Sequence, residues 1–220
     1  MFKTRTLITI LTWNRVNLTK DTVSSVFLHN KNNMRDILFI DNGSTDGTID
    51  YIKSIGCDFI RNESNEGIFM ASRRAWLEGV NRGYDFILNL QNDFPCVSKI
   101  PFDDIEKYLD LNNDVGFVRL NNKKKKPHKF VNYLTKKPIV LEPWEKVGNT
   151  EFAKHNHHMS FNPNLIKSSI ISHLVDPVEK PRERQIMERF ESLNLKSAKI
   201  KDPCPCFDTI IRDREDGWIH

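Results

Sequence analysis

Short apolar runs alternate with segments of helical periodicity through the N-terminal part of the chain, and this alternation constrains the fold more than any other feature. Runs rich in β-branched and aromatic residues have the pattern of buried strands at 5–12, 36–40, 57–61 and 84–90. Between them, apolar residues recur at helical spacing in segments 15–30, 46–55 and 68–81. Because parallel strands are joined by crossover helices, this order predicts an α/β fold with a mostly parallel central sheet flanked by helices.

The ends of these predicted helices carry local signals. Gly56 and Gly83 follow the second and third helices, where glycine is a common C-terminal residue. Ser44 or Thr45 is expected to cap the second helix, with Asp46 in the first turn, where the helix dipole favours an acid.

The C-terminal part is less regular. A length of 220 residues suffices for one α/β domain, and we predict a single domain over residues 1–220. We expect helices at 102–111, 163–173 and 181–194, strands at 114–120 and near 138–141, a loop or lid at 143–162, and a final strand pair near 197–211.

Lysine is concentrated in one run, Lys123–Lys126, in a chain whose net charge is +4. Such a run is usually a solvated loop, and the alternative is a loop that faces an anionic ligand or a membrane surface. The run lacks interleaved aromatic residues, so we expect no nucleic-acid partner.

Cysteine spacing and hydropathy bear on the compartment. No two of the four cysteines have the spacing of a zinc knuckle, and Cys204 and Cys206 are too close for an easy disulfide. No apolar stretch approaches the roughly 20 residues of a transmembrane helix. The apolar run 7–11 is also too short for a signal peptide. We therefore expect reduced cysteines, no transmembrane segment, and a location in the cytoplasm or at the periphery of a membrane.

Polar residues follow three of the predicted strands. They are Thr12–Arg15, Asp41–Ser44 and Gln91–Asp93. Ligands of open α/β sheets bind at the carboxyl ends of the strands, so these segments predict a binding site at one edge of the sheet.

The same segments resemble the family 2 glycosyltransferases. Residues 11–15 read LTWNR and residues 41–48 read DNGSTDGT, which are similar in sequence and spacing to that family's PTYNR and DDGSTDGT segments. Residues 65–67 (NEG) followed by 71–73 (ASR) are similar to its NxGxxxARN segment. Residues 88–94 (LNLQNDF) stand where the family carries LDADD or LEDDW.

This resemblance, over residues 7–94, implies a GT-A-like domain with a nucleotide-sugar-binding half at 1–95 and an acceptor-binding half at 96–220. It implies a glycosyltransferase that moves a sugar from a UDP- or GDP-linked donor to a hydroxyl group, with inversion at the anomeric carbon. The acceptor is left open among a glycan, a lipid-linked saccharide and a protein.

Donor-binding residues are expected in the resembling segments, and they are Thr12, Asn14, Arg15, Asp41, Asn42, Asn65, Gly67, Arg73, Asn92 and Asp93. The Asp41 carboxylate can accept a hydrogen bond from a ring N–H of uracil or guanine, or it can cap its own turn. Arg15 can bind phosphate or form a surface ion pair. Only one of the adjacent Arg73 and Arg74 is expected to face the site.

The resemblance also implies a divalent cation, Mn²⁺ or Mg²⁺, that an Asp-x-Asp motif holds against the donor diphosphate. Here the motif reads Gln91-Asn92-Asp93, and two amides replace acids, so we expect weak and conditional metal binding. Asp93 and Gln91 are the expected ligands, together with Asp208, which stands near the position of a final metal ligand in the family. Asp93 can alternatively cap the segment before Pro95.

An inverting transfer needs a carboxylate near the acceptor hydroxyl. The acids available in the second half are Glu142, Glu145, Asp176, Glu179, Glu183 and Glu188. The segment that begins at Pro181 resembles the family's acceptor-side helix, so Glu183 is the expected base and Glu179 the second choice. The cluster His155–His158 lacks further ligands at zinc spacing, and lining an acceptor pocket or surface exposure is expected instead.

Two other functions compete with transfer. A nucleotidyltransferase on a similar sheet would open with a glycine-rich phosphate loop, and residues 7–20 contain no glycine. A nucleotide-sugar-binding protein without turnover is the other alternative, because Gln91 and Asn92 depart from the acidic motif.

Overall fold

The computed structural model describes residues 5–120, 132, 134–157, 159, 161, 163–175, 182–201 and 206–207. Within these residues the helices are α1 (Val16–Asn30), α2 (Thr48–Ser54), α3 (Gly67–Asn81), α4 (Phe102–Leu111), α5 (Ile171–Leu174) and α6 (Glu183–Ser192). The strands are β1 (Thr6–Thr12), β2 (Asp36–Asp41), β3 (Asp58–Arg61), β4 (Phe86–Gln91), β5 (Val115–Arg119), β6 (Glu145–Val147), β7 (Thr150–His155), β8 (Asn164–Lys167) and β9 (Lys196–Ile200).

All of these strands form one sheet in the order β3-β2-β1-β4-β8-β5-β9-β7-β6. Strand β1 is buried over its whole length because it lies between β2 and β4 and is covered on both faces. One face packs against Val23 of α1, Ile52 of α2 and Ile105 of α4. The opposite face packs against Ala71 and Ala75 of α3. On the same side of the sheet, Trp76 of α3 and Phe190 of α6 cover β4, β5 and β8.

The predicted α/β fold class is confirmed, and the prediction of a mostly parallel sheet is corrected. Strands β3, β2, β1 and β4 are parallel to one another, and β5 is parallel to β9. The pairs β4–β8, β5–β8, β6–β7 and β7–β9 are antiparallel. The sheet is therefore mixed, because the second half joins its strands without a crossover helix at each step.

The expectations for the second half were partly wrong. The predicted loop or lid at 143–162 contains strands β6 and β7, which form a hairpin around Gly148. The predicted helix at 163–173 begins as strand β8 and becomes helical only after Lys167, through a 3-10 turn and α5. The strand expected near 138–141 is reduced to one bridge between Leu141 and His155.

Other expectations agree more closely. The helix expected at 181–194 is α6, and β9 overlaps the beginning of the final strand pair expected near 197–211. Residues 202–205 and 208–211 of that pair lie outside the described residues. The cap of α2 differs, since Gly47 precedes the helix and the Asp46 carboxylate accepts from the Thr48 amide and hydroxyl.

Cys57, Cys96 and Cys206 are free thiols. Within the described part of the chain, no helix combines the length and the apolar character needed to cross a bilayer.

Candidate functional site

The sheet register brings the polar strand ends together at one edge. Thr12 of β1 lies beside Asp41 of β2, and Leu11 lies beside Gln91 of β4. Asp41 in turn lies beside Arg61, the last residue of β3. We call this the carboxyl edge, because β1, β2, β3 and β4 all end there.

Asp41 is fully buried and holds the turn that follows its strand. Its Oδ2 atom accepts the amide N–H of Ser44 at 3.0 Å and lies 3.4 Å from Nε of Arg61. Its Oδ1 atom accepts the hydroxyl of Thr12 at 3.3 Å. The carboxylate thus performs the capping role, and recognition of a base N–H by this side chain stays a prediction.

The segment after β1 is held in an uncommon backbone conformation. Asn14 and Arg15 have φ values of 52° and 60°, the left-handed region that residues other than glycine rarely adopt. Asn14 is clamped to the neighbouring turn, since its amide donates to Ser44 Oγ at 2.7 Å and its Oδ1 accepts from the Thr45 amide at 2.8 Å. Such strain is often found where a loop is shaped to meet a ligand.

Asn92 supports this loop from the other side. Its Nδ2 donates to the Asn14 carbonyl and to Thr19 Oγ1, each at 3.1 Å, and its own carbonyl accepts from Thr22. Asn92 is buried, so these hydrogen bonds position the loop. Direct contact between Asn92 and a nucleotide sugar stays a prediction.

Amide side chains join the loop after β2 to the loop between β3 and α3. Asn42 donates to Asn65 Oδ1 at 2.6 Å and accepts from Asn62 Nδ2 and the Glu66 amide, each at 3.0 Å. The Gly67 amide donates to Asn65 Oδ1 at 2.9 Å. These bonds fix the loop that leads into α3, so Asn42, Asn65 and Gly67 act as one unit.

Gly43 permits the close contact between these two loops. Its φ is +81°, and an added Cβ would lie 2.9 Å from the backbone of Ser64. A side chain at this position would therefore be strained and would push the loops apart.

Arg61 is a site residue that the sequence analysis missed. Its Nη2 donates to the Ser44 carbonyl at 2.9 Å, and half of its side chain remains exposed at the carboxyl edge. It therefore offers a positive charge beside the Asp41 turn. On α3, Arg74 donates to Asn62, and the predicted Arg73 is half-buried. Contact of Arg73 with a donor stays a prediction.

Asp93 is the acid at the end of β4. Its Oδ1 is buried and has no hydrogen-bond partner among the described residues. Burial raises the pKa of the Asp93 carboxyl, and the nearby Arg15 guanidinium opposes that rise. An orphaned, desolvated carboxylate oxygen is a site at which a cation can replace the lost water.

A divalent cation fits this site only if the ligand completes its coordination. Mg²⁺ is commonly held by one or two carboxylates while substrate phosphates and water supply the remaining oxygens. Gln91 donates its Nε2 to the Phe161 carbonyl at 3.0 Å, which leaves Oε1 as its metal-binding atom. No group of three or more His, Cys, Asp or Glu side chains suited to a metal occurs among the described residues. These ligands fit a cation that the protein shares with the phosphates of a bound nucleotide sugar. They do not fit a cation held by protein atoms alone.

The remaining predicted residues lie in the second half. Glu183 is the first residue of α6 and is half-buried. Glu179 and Asp208 lie outside the described residues. Phe207, which precedes Asp208, pairs with Cys96 and donates its amide to the Leu120 carbonyl at 3.2 Å. His155 is buried in β7, and its Nδ1 accepts the His157 amide at 3.2 Å, so the surface exposure considered for this cluster does not apply to His155. The lining of an acceptor pocket stays a prediction.

Replacing Asp41 by alanine is expected to lower the free energy of unfolding by about 2–3 kcal/mol, because the Ser44 amide and Thr12 hydroxyl lose a charged acceptor. Urea unfolding measures this loss. Glu63→Ala, at an exposed acid in a nearby turn, is the control and should stay within about 0.5 kcal/mol of the parent. Equal stability of the two variants would contradict the capping role.

Comparisons with known proteins agree with this geometry. Residues 7–89 match the family model described as Glycosyl transferase family 2. No curated protein sequence matches the chain. The structure of Staphylococcus aureus TarS 1–349 in complex with UDP-GlcNAc aligns with a TM-score of 0.67 and 14% identity, over 98% of this chain and 62% of that one. GalNAc-T7 with UDP, GalNAc and Mn²⁺ aligns with a TM-score of 0.62 and 14% identity, over 92% of this chain and 42% of that one.

This chain thus spans about three fifths of the TarS chain and less of GalNAc-T7. At such low identity the structural matches establish the fold, while the family match rests on sequence. Together they confirm the predicted resemblance: residues 7–89 carry the sequence pattern of glycosyl transferase family 2, on the GT-A glycosyltransferase fold.

Proposed function

We propose that the chain is a glycosyltransferase that moves a sugar from a UDP- or GDP-linked donor to an acceptor hydroxyl, with inversion and with help from a divalent cation. The observation that carries the proposal is the convergence of Thr12–Arg15, Asp41–Ser44 and Gln91–Asp93 at the carboxyl edge, with one buried Asp93 oxygen unpartnered among the described residues. TarS with UDP-GlcNAc and GalNAc-T7 with UDP support a uridine donor.

In this proposal residues 1–95 bind the donor. The loop of Asn14 and Arg15 and the Asn65–Gly67 loop border the nucleotide, with Thr12, Asp41 and Asn42 holding the turn between them. Arg15 and Arg73 supply positive charge toward the diphosphate, as guanidinium groups commonly do. Arg61 adds a third guanidinium at the same edge.

Asp93 and the Gln91 carboxamide oxygen would hold the cation, and Asp208 is proposed as a further ligand. A cation bound there supplies neutralisation of the negative charge that develops on the leaving diphosphate. Mn²⁺ in the GalNAc-T7 structure supports this assignment. Because the protein contributes one described carboxylate, the cation should bind weakly until the diphosphate is present.

Residues 96–220 would position the acceptor and the base. In the transfer, the acceptor oxygen forms a bond to the anomeric carbon as the bond from that carbon to the diphosphate oxygen breaks. The hydroxyl proton passes to the Glu183 carboxylate, and the bonding electron pair departs with the nucleoside diphosphate. Attack on the face opposite the leaving group inverts the anomeric carbon.

A thermal-shift screen tests the donor assignment. At 100 times its Kd a ligand stabilises by about 2.7 kcal/mol, which for a chain of this size raises the Tm by several degrees. We expect UDP or GDP with Mn²⁺ to give the largest shift, and ADP with Mn²⁺, the matched control, to give little. No shift with any nucleoside diphosphate or nucleotide sugar would contradict the proposal.

Turnover assays separate the competing functions. Release of UDP or GDP from the nucleotide sugar that binds best supports transfer. Binding without such release, with or without Mn²⁺ or Mg²⁺, would favour a nucleotide-sugar-binding protein. Pyrophosphate formation from a nucleoside triphosphate and a sugar phosphate would favour a nucleotidyltransferase.

A further inference from the structure

A row of polar side chains crosses from the donor half of the sheet to the second half. Asn89 of β4 lies beside Asn164 of β8, and Asn164 lies beside Arg119 of β5. Arg119 in turn lies beside Lys199 of β9. Residues in register on neighbouring strands share one face, so these four side chains project to the same side of the sheet.

The row continues from the proposed cation site. Gln91 is two residues beyond Asn89 on β4 and therefore lies on the same face. Both side-chain amides donate to the Phe161 carbonyl, at 3.2 Å from Asn89 and 3.0 Å from Gln91. Asn89 and Asn164 are buried, while Gln91 and Arg119 at the two ends of the row are partly exposed. A ligand that extends sideways from the donor on this side of the sheet therefore passes over the buried amides and meets Arg119.

Arg119 is a partly buried cation at the carboxyl end of β5. Burial lowers the pKa of its guanidinium to about 10, which still leaves the group charged at neutral pH. A small part of the residue remains open to solvent. Because a partly buried charge is less screened by water, it attracts an anion more strongly than the same charge at an open surface does.

Two lysines and a tryptophan extend this cationic region. Lys199 and Lys201 are two residues apart on the same face of β9 and its extension. Their Nζ atoms lie 5.3 Å and 5.7 Å from the centre of the Trp144 ring, and Lys201 also pairs with Glu151 at 2.9 Å. We call Arg119, Trp144, Lys199 and Lys201 the basic edge.

The spacing places the basic edge beside the transfer site rather than within it. Neighbouring strands are about 4.8 Å apart, and three steps separate β4 from β9 through β8 and β5. Lys199 therefore lies about 14 Å from the strand that ends at Gln91. An anion bound there belongs to a part of the acceptor remote from its reacting hydroxyl.

We propose that the basic edge binds a phosphate group of the acceptor, and hence that the acceptor is a phosphate-bearing saccharide. The planar guanidinium of Arg119 matches two phosphate oxygens, the lysines add point charges, and Trp144 offers an apolar face to a sugar ring. This inference rests on the proposed function, because it names the acceptor of the same site.

Titrations with simple probes test the proposal. Glucose 6-phosphate, glucuronate and glucose are each titrated by calorimetry into protein saturated with UDP and Mn²⁺, so that the donor site is occupied. We expect glucose 6-phosphate to bind more tightly than glucuronate, glucose to bind least, and added salt to weaken the phosphate probe. A phosphodiester probe, glycerophosphoglycerol, then distinguishes a terminal monoester from a phosphodiester chain as the natural source.

Variants of the basic edge connect binding to these residues. Arg119→Gln, and separately Lys199→Gln with Lys201→Gln, should each weaken glucose 6-phosphate by about tenfold or more, the effect of losing a charged hydrogen bond. Arg119→Lys keeps the positive charge but loses the planar guanidinium, so its affinity for glucose 6-phosphate should lie between those of the parent and Arg119→Gln. Lys53→Gln on exposed α2 is the control and should bind as the parent does. The lysine variants keep the test decisive if Arg119→Gln does not fold.

The outcomes separate this proposal from the proposed function. Equal affinity for glucose 6-phosphate and glucose, or unchanged affinity in the basic-edge variants, would overturn the inference. Loss of UDP affinity in those variants would also overturn it, because the residues would then belong to the donor site. If the parent binds no nucleotide but its phosphate affinity falls in the variants, the proposed function fails and the anion site stands.

Discussion

Replacing Asp93 by asparagine is expected to lower kcat/KM for the nucleotide sugar by about a hundredfold or more. The substitution keeps the shape of the side chain but removes the carboxylate proposed to hold the cation. Charge stabilisation by a metal is worth several kcal/mol in the transition state, and each 1.36 kcal/mol corresponds to about tenfold in rate. The rate of UDP or GDP release from the donor, measured with saturating Mn²⁺, gives this value.

The same variant changes the pH dependence of metal binding. Burial raises the pKa of Asp93, so the carboxylate becomes protonated at a higher pH than an ordinary aspartate as the solution is acidified. A protonated carboxyl no longer binds the cation, and the Mn²⁺-dependent part of nucleotide affinity should therefore fall on the acidic side. In Asp93→Asn this part should be small at every pH. Calorimetric titrations of UDP with and without Mn²⁺ measure it.

Asp50→Asn is the matched control, since Asp50 is an exposed acid on α2. It should keep the parent rate and the parent pH profile. Metal-free UDP binding should be similar in all three proteins. An Asp93→Asn protein with parental turnover in Mn²⁺ would remove Asp93 from the metal site.

The donor half was readable because its local and long-range signals agree. Strands β1, β2 and β4 are continuous apolar runs, and each polar segment after them falls at a strand end. Parallel strands that are linked through helices must end at one edge, so sequence order alone brings Thr12, Asp41 and Gln91 together.

What the sequence could not indicate at this edge are the contacts between loops. Arg61 is simply the last residue of an apolar run until β3 pairs with β2 and places it beside Asp41. The burial of Asp41 likewise depends on Thr12 and Ser44 closing around it. A motif gives residue types and spacing, while the solvent exposure of a side chain is a property of the assembled loops.

The strands of the second half are difficult to predict from the sequence because they are short and pair antiparallel. Strand β8 has four residues, Asn164–Lys167, too few to show a period, and its burial comes from β4 and β5 on either side. The sequence of strand β7 does not predict a strand, because its His and Lys residues hide the alternation of apolar and polar positions. Arg119 could not be identified from the sequence for a different reason: its neighbours Asn164 and Lys199 come from strands remote in sequence.

Chain direction supports Glu183 as the proposed base. Helix α6 leads into β9, whose first residue donates its amide to the Asp114 carbonyl at the end of the sheet opposite the carboxyl edge. Phe190 packs on Phe117 in the middle of β5, and Glu183 lies seven residues earlier, about 10 Å along the helix. The N-terminal end of α6 is therefore the end nearer the carboxyl edge.

Glu183→Gln is expected to lower kcat for donor hydrolysis by about a hundredfold or more while the KM for the donor changes little, because general-base catalysis contributes about 10²–10⁴. Water replaces the unidentified acceptor in this assay, and azide, which needs no base, should restore part of the rate as a glycosyl azide. Glu188→Gln, at an exposed acid on the same helix paired with Arg184, is the control and should keep the parental kcat. The configuration of the azide product, read by proton NMR, should be opposite to that of the donor. Parental turnover in Glu183→Gln, with loss in Glu179→Gln instead, would move the base to Glu179, and retention of configuration would contradict direct displacement.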